Sequence, residues 1–295
     1  MEKSNLIGVI GGSGFYKLDG LKVIDQKVVE TPYGMPSSPY IIGTYEGKTI
    51  AFLARHGLNH QYIPSDVNYQ ANIYGFKLLG VEEIYSFSAV GSLQELYKPG
   101  DFVIIDQFFD RTKKRLDTFF GGGVVAHVGF GQPVCPVMRQ RILTASKGLD
   151  VAVHDGGAYV CMEGPAFSTL AESLFYQRQG FAVIGMTNLT EAKLAREAEI
   201  CYASIAMVTD YDCWHESEEA VSVEMVVRVL KANTAHAHGL LSRLLEMSVG
   251  GRVECECRDA LKNAIMSDIS KVSPSAVNRL KAIIQRYLPH DQHGD

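Results

Sequence analysis

The stretch ICYASIAMVTDYDCWH (200–215) sets an almost unbroken apolar run in front of two aspartates, Asp210 and Asp212. A short run of β-branched and small apolar residues without alternation predicts a strand buried on both faces. Carboxylates at the end of such a strand need a compensating role, because an unpartnered charge beside apolar packing is costly.

Working outward, similar runs recur at LIGVI (6–10), TIAFLA (49–54), EEIYSFSAV (82–90), DFVIID (101–106), GAYVCM (157–162) and FAVIGM (181–186). Between them lie helical patterns at 64–80, 168–180 and 190–198, and an Asn188-x-x-Glu191 spacing predicts a capping box for the last. Strands alternating with helices predict an α/β fold, with a central mixed, largely parallel sheet flanked by helices. The composition shifts only near residue 250, which predicts one domain over 1–249 and a C-terminal extension over 250–295. Within that extension PSAVNRLKAIIQRYL (274–288) carries apolar residues at 277, 280, 284 and 287, an amphipathic helix.

The chain of 295 residues has 28 basic and 33 acidic side chains, a net charge of −5, and no run of Lys or Arg that would track a phosphate backbone. No nucleic acid partner is expected. The apolar start of MEKSNLIGVIGG is shorter than a signal-peptide core, and no uncharged stretch reaches the ~18 residues of a membrane span. A cytoplasmic protein with no membrane partner is expected. Cys135, Cys161, Cys201 and Cys213 are scattered, and the last three sit beside apolar runs as small hydrophobes do. Cys255 and Cys257 form a CEC motif with no second Cys or His pair nearby in the sequence, so no metal site is expected and two free or redox-labile thiols are.

In open α/β sheets a ligand lies beyond the carboxyl ends of the strands. The residues there share one chemistry. GGSGF after the first run supplies backbone amides and the Ser13 hydroxyl; ARHG supplies Arg55 and His56; Ser88 and Ala89 follow EEIYSF; Thr187 follows FAVIGM and precedes a helix start. Amides, hydroxyls and a guanidinium suit an anion. The seventh run instead ends on Asp210 and Asp212, which share one side if the chain stays extended. Such a pair suits a group with hydrogen-bond donors or one that needs a proton, and burial would raise an aspartate's pKa toward acid catalysis. A glycosidase dyad and a divalent metal site use the same residues. Against metal, His56 is the one further ligand type at the other strand ends, beside an arginine.

Several segments together resemble the 5′-methylthioadenosine phosphorylases of the trimeric purine nucleoside phosphorylase family. They are GVIGGSGF, ETPYGMPS, FLARHG with His60 and PSDVNYQAN, AVGSLQE, PGDFVIIDQFFDRT, MEGPAFST with AES, and EICYASIAMVTDYDCW followed by EEAVSV. The resemblance spans about residues 5–245. It implies phosphorolysis, with inorganic phosphate as co-substrate and no metal or organic cofactor. Phosphate falls to Ser13, Arg55, His56, Ser88, Ala89 and Thr187. The purine falls to Asp210, which donates a proton to the imidazole nitrogen, and to Asp212, which accepts from the exocyclic amine of a 6-amino purine. It places Met186 under the ribose, Phe167 against the base, Ser168 near the base loop, and Val223, Val226 and Val227 with His60 around the 5′ substituent. A homotrimer or a dimer of trimers is implied.

The chain departs from the family pattern at Ala166, where many relatives carry arginine, at Phe87, which replaces a small polar residue, and at Ser13, which stands for threonine in some members. Trp214 is expected to anchor packing rather than stack on a base. A phosphorylase of broader or 6-oxopurine preference, a nucleotide-binding regulator and a metal-dependent hydrolase remain compatible with the same strand ends.

Overall fold

A computed structural model of the chain describes residues 6–15, 18–215, 223–247 and 255–288. Its elements run β1 (Ile7–Gly11), β2 (Lys22–Lys27), β3 (Tyr40–Tyr45), β4 (Lys48–Ala54), α1 (Tyr69–Leu78), β5 (Glu83–Ser92), β6 (Phe102–Ile104), β7 (Gln107–Arg111), α2 (Pro136–Ala145), β8 (Val153–Asp155), β9 (Ala158–Met162), α3 (Leu170–Arg178), β10 (Val183–Gly185), α4 (Asn188–Glu197), β11 (Cys201–Asp210), α5 (Val223–Met247) and α6 (Pro274–Ile284). All seven apolar runs form strands, and the helical patterns form α1, α3, α4 and α6. No described helix is long and apolar enough to cross a membrane.

The sheet runs β2-β3-β4-β1-β5-β10-β9-β7, with β11, β6 and β8 branching from β5. Every residue of β11 is buried. It lies parallel to β5 on one edge and antiparallel to β6 on the other, which explains the run without alternation. Each large apolar side chain buried along it stabilises by roughly 1.5–3 kcal/mol.

The branching at β5 opens a gap in the sheet. From Glu83 to Phe87, β5 pairs with β1 on one edge and β11 on the other. β1 ends its pairing at Phe87, while β11 holds the second edge as far as Gly91. β10 joins antiparallel only at Gly91 and Ser92, and the edge still open to it is the one β1 has left. Residues Ser88 to Val90 therefore front a gap about 10 Å long at ~3.3 Å per residue. The ends of β1, β4, β10 and β11 surround it.

Local signals correct two expectations. Asn188 does not cap α4. Thr187 is the N-cap and makes no side-chain cap bond, while the Asn188 amide is drawn inward to Ser86, Tyr202 and Ser204. The capping box belongs to α3, where Thr169 and Glu172 satisfy each other's backbone amides. The CEC motif is not isolated either. The segment carrying Cys255 and Cys257 packs back on the body beside Cys135, the N-cap of α2, and Cys201, the first residue of β11. Partners 120 and 54 residues distant from Cys255 supply the second pair. Further along, Leu261, Leu280, Ile283 and Ile284 share a core with α1 and α4. Trp214 is buried and donates Nε1–H to the Ser92 carbonyl at 2.8 Å, a packing anchor as expected.

Candidate active site

The gap beside β5 is a cavity of about 310 Å³. Ser13, Arg55, His56, Ser88, Ala89 and Thr187 line it together with His60, Met186, Phe167, Asp210 and Asp212. Strand ends far apart in sequence thus meet in one chamber.

Arg55 lies at the end of β4, only 1% exposed. Its Nε and Nη2 pair with the Glu191 carboxylate, the latter at 3.1 Å. Nη2 also donates to Ser86 Oγ at 2.6 Å and Nη1 to the Phe87 carbonyl at 3.1 Å. Four of its five N–H groups are thereby engaged. The free bidentate fork expected for an anion is used on Glu191, and one N–H at most reaches a ligand. Burial pushes the Arg55 pKa down, but the Glu191 charge outweighs it and keeps the guanidinium charged. Gly12 is required beside it, since a Cβ there would stand 2.4 Å from Arg55 Nη1 and 2.9 Å from the Phe87 carbonyl oxygen.

Glu191 is the main residue that sequence reasoning assigned elsewhere. It is buried and also accepts from Ser86 Oγ at 2.8 Å and Tyr202 OH at 2.7 Å. Asn188 completes the network through Ser86, Tyr202 and Ser204. The sequence signal was the Asn-x-x-Glu spacing at the start of α4, which points both side chains toward the sheet as well as it would cap a helix.

His56 follows Arg55. Its Nδ1 lies 2.9 Å from the Tyr62 carbonyl, which can only accept, so the ring is the Nδ1–H tautomer and its Nε2 carries the lone pair. Burial, then the Arg55 charge, lowers its pKa to about 4. At neutral pH His56 accepts rather than donates, which suits the P–OH of a hydrogen phosphate. His60 stacks on it at 4.7 Å and is also shifted down by burial. Thr187 leaves its hydroxyl uninvolved in capping, bonding only weakly to Asn188 Oδ1 at 3.3 Å. The Ser88 hydroxyl lies 3.3 Å from the Ala89 carbonyl. Both hydroxyls can turn toward a ligand.

The aspartates meet by a different route from the one expected. β11 slips register between Val208 and Asp210, and Asp212 lies beyond the strand at φ 52°, in the left-handed region. Its amide donates to Asp210 Oδ1 at 2.8 Å. A bulge and a turn, rather than strand alternation, bring both carboxylates to the cavity. Asp210 Oδ2 lies 2.7 Å from Thr209 Oγ1, and Ser173 Oγ donates to Asp212 Oδ2 at 2.6 Å. Burial raises the Asp212 pKa, against hydrogen bonds from Ser173 and Ser168. Among the described residues, the one group of three or more His, Cys, Asp or Glu able to share an ion is the distant cysteine cluster. Among the described residues, Asp210 and Asp212 do not belong to such a group.

Glu163 ties down the loop beside the aspartates. It accepts from Ser65 Oγ, from the Lys113 amide at 2.6 Å and from Arg115 Nε at 3.3 Å, while Arg115 Nη2 holds its carbonyl at 2.7 Å. Burial opposes ionisation, but these donors outweigh it and hold the carboxyl at about 2. The residue of interest in this loop is Phe167, 54% exposed, which excludes a core role. Ala166 is exposed, and Arg115 anchors the loop from another segment. Met186 is half-buried in the cavity wall. Ser168 does not line the cavity and supports Asp212 from behind. The side chains of Val223, Val226 and Val227 lie outside the described residues.

Comparison with known proteins agrees with this geometry. Residues 6–246 match the model of the phosphorylase superfamily. The S-methyl-5′-thioadenosine phosphorylase of Koribacter versatilis is 51% identical over 288 residues, covering 98% of each chain. That of Gloeobacter violaceus is 49% identical over 285 residues, covering 95% of each. Among solved structures, a methylthioadenosine phosphorylase from an antarctic soil metagenomic library superposes with a TM-score of 0.90 at 43% identity, covering 98% of this chain and 100% of that one. A mutant adenosine/methylthioadenosine phosphorylase of Schistosoma mansoni in complex with methylthioadenosine gives 0.80 at 35% identity, over 87% and 95%. A buried mixed sheet, a forked central strand and near full-length similarity thus agree: the chain belongs to the phosphorylase superfamily, with S-methyl-5′-thioadenosine phosphorylases as its relatives.

Proposed function

We propose that the chain phosphorolyses 5′-methylthioadenosine to adenine and 5-methylthioribose 1-phosphate. The observation that carries this is a single cavity of about 310 Å³ with anion-suited groups at Ser13, Arg55, His56, Ser88, Ala89 and Thr187 and a carboxylate pair at Asp210 and Asp212. The names of the relatives support the same substrate.

In this scheme the C1′–N9 bond breaks while a phosphate oxygen approaches C1′ from the opposite face. The positive charge that develops on the sugar is stabilised by the phosphate, which the cavity holds within reach. Asp210 delivers a proton to the imidazole nitrogen of the departing purine and regains it from solvent. Asp212, already accepting from Ser173 on one oxygen, accepts from the 6-amino group with the other. A 6-oxo purine would set two acceptors face to face, leaving a buried group unpaired. Met186 packs under the ribose, Phe167 covers the base, and Val223, Val226 and Val227 with His60 take the methylthio group. Phosphate is the co-substrate and the scheme uses no cofactor.

The proposal extends to a homotrimer or dimer of trimers working in purine and methionine salvage in the cytoplasm. Exposed Leu116, Leu170 and Phe175 support a subunit interface, and six unpaired cysteines support a reducing compartment. Rates on methylthioadenosine, adenosine, inosine and methylthioinosine, each with and without phosphate, test the specificity. Equal rates on inosine would favour the alternative, a purine nucleoside phosphorylase of broader or 6-oxopurine preference.

A further inference from the structure

Four cysteines meet at the far end of β11 from the aspartates. Their sulfurs all lie within 4.8 Å of one another. Cys255 Sγ is 3.2 Å from Cys201 Sγ and 3.8 Å from Cys135 Sγ. Zinc bound by four thiolates at ~2.3 Å places its sulfurs about 3.8 Å apart along the edges of the tetrahedron. The observed spread brackets that edge, whereas a disulfide needs ~2.05 Å. All four cysteines are free thiols in the structure.

The surroundings suit the charge of such a centre. Four thiolates around a divalent ion carry a net charge of −2. Arg258, 6% exposed, pairs with Glu82 through Nη1 and also faces Cys201, while its buried Nε has no hydrogen-bond partner among the described residues. Arg196 Nη2 stands 3.9 Å from Cys257 Sγ. Cys135 caps α2 with no side-chain cap bond of the usual kind, and the Met138 amide of the first turn points to its sulfur. Two guanidiniums and a helix N-terminus around four sulfurs are what an anionic centre requires of its outer shell.

We propose that Cys135, Cys201, Cys255 and Cys257 form a structural tetrathiolate site for zinc, fastening the C-terminal segment to the start of β11 and to α2. Binding replaces four S–H bonds with four Zn–S bonds and releases four protons, with no change of oxidation state. All four positions are taken by sulfur, so the ion is closed to substrate. Cys201 and Asp210 are the two ends of a ten-residue strand, about 30 Å apart, and the site takes no part in the cavity's chemistry.

The test uses the full chain purified under reducing, chelator-free conditions, with metal measured by mass spectrometry. One zinc per chain, retained through gel filtration, is expected. Exchange for cobalt should give an intense thiolate-to-cobalt charge-transfer band with the visible absorption of tetrahedral cobalt. Cys255→Ser and Cys257→Ser should lose the zinc, and Cys213→Ser should keep it. The cobalt spectrum needs no variant, so it stands even where a substitution unfolds the chain. A chain that takes up neither zinc nor cobalt with its thiols reduced overturns the proposal. So does an intact mass four hydrogens short, as two disulfides would leave it, or zinc undiminished in the double variant C255S/C257S.

Discussion

Removing Glu191 isolates the role of the buried network. Glu191→Ala leaves the Arg55 guanidinium, 1% exposed, without its counter-charge, and deprives Ser86 and Tyr202 of their acceptor. Breaking one side of a buried ion pair costs about 3–5 kcal/mol, a large share of the ~5–15 kcal/mol that holds a domain folded. Thermal unfolding should fall by on the order of 10 °C. Replacing both partners with an apolar pair, R55M/E191M, removes the unpaired charge, and stability should recover the part lost to it, leaving only the loss of the Ser86 and Tyr202 acceptor. Activity should not return. With the Arg55 charge gone, kcat/KM for phosphate should fall roughly 10- to 100-fold, the worth of a charge-assisted hydrogen bond, while nucleoside binding holds. The assay is a melting curve beside initial rates at varied phosphate and at varied nucleoside. A double variant that is stable and keeps an unchanged phosphate dependence would refute a phosphate site at Arg55.

Asp212→Asn should lower kcat/KM on 6-amino nucleosides by about 10- to 100-fold and raise it on 6-oxo ones, read from the ratio of methylthioadenosine to methylthioinosine rates. Gly91→Ala brings a Cβ to 3.0 Å from Asp210 Oδ1 and 3.2 Å from Ile184 Cγ2; overpacking of about 1–3 kcal/mol should move the carboxylate and depress kcat more than it lowers the melting temperature. His56 and Glu163 both lose stability in acid, while Glu197, pushed up to about 7 by burial, gains it as pH falls from 7 to its ordinary 4.5. Burial, then Arg55, depresses His56 to about 4, so its contribution is complete above its ordinary 6.5 and is lost as pH falls toward 4. Glu163, held at about 2 against burial by Ser65, Lys113 and Arg115, contributes above its ordinary 4.5 and loses that as pH falls toward 2. Melting temperature should therefore change little between pH 7 and 4.5, where Glu197 opposes His56, and fall below that; His56→Asn should raise it selectively between pH 6.5 and 4.

Most of what positions the cavity was visible in the sequence because burial wrote it there. β11, buried along its whole length, admits no alternation, and the ends of β1, β4, β10 and β11 carry their candidate residues within two positions, while Ser88 and Ala89 lie inside β5. Four of the described strands were missed: β2 is exposed at all six positions, β3 is only partly buried, β8 has three residues, and β7 lies at the end of the sheet. Side-chain partnership was less visible. Glu191 carries a spacing that serves equally as a helix cap, and only the fold shows it turned to Arg55. The Arg55 fork and the His56 tautomer depend on Glu191 and on the Tyr62 carbonyl. The cysteine cluster joins residues more than a hundred positions apart, so no spacing rule could reveal it.

The central claim is that phosphate, not water, displaces the purine. Incubating the chain with methylthioadenosine and inorganic phosphate, and following adenine by absorbance and the sugar by phosphorus NMR, measures that directly. Adenine and a sugar 1-phosphate should appear in equal amounts, and neither should appear when phosphate is omitted. Adenine released at the same rate without phosphate, with free methylthioribose as the other product, would contradict it.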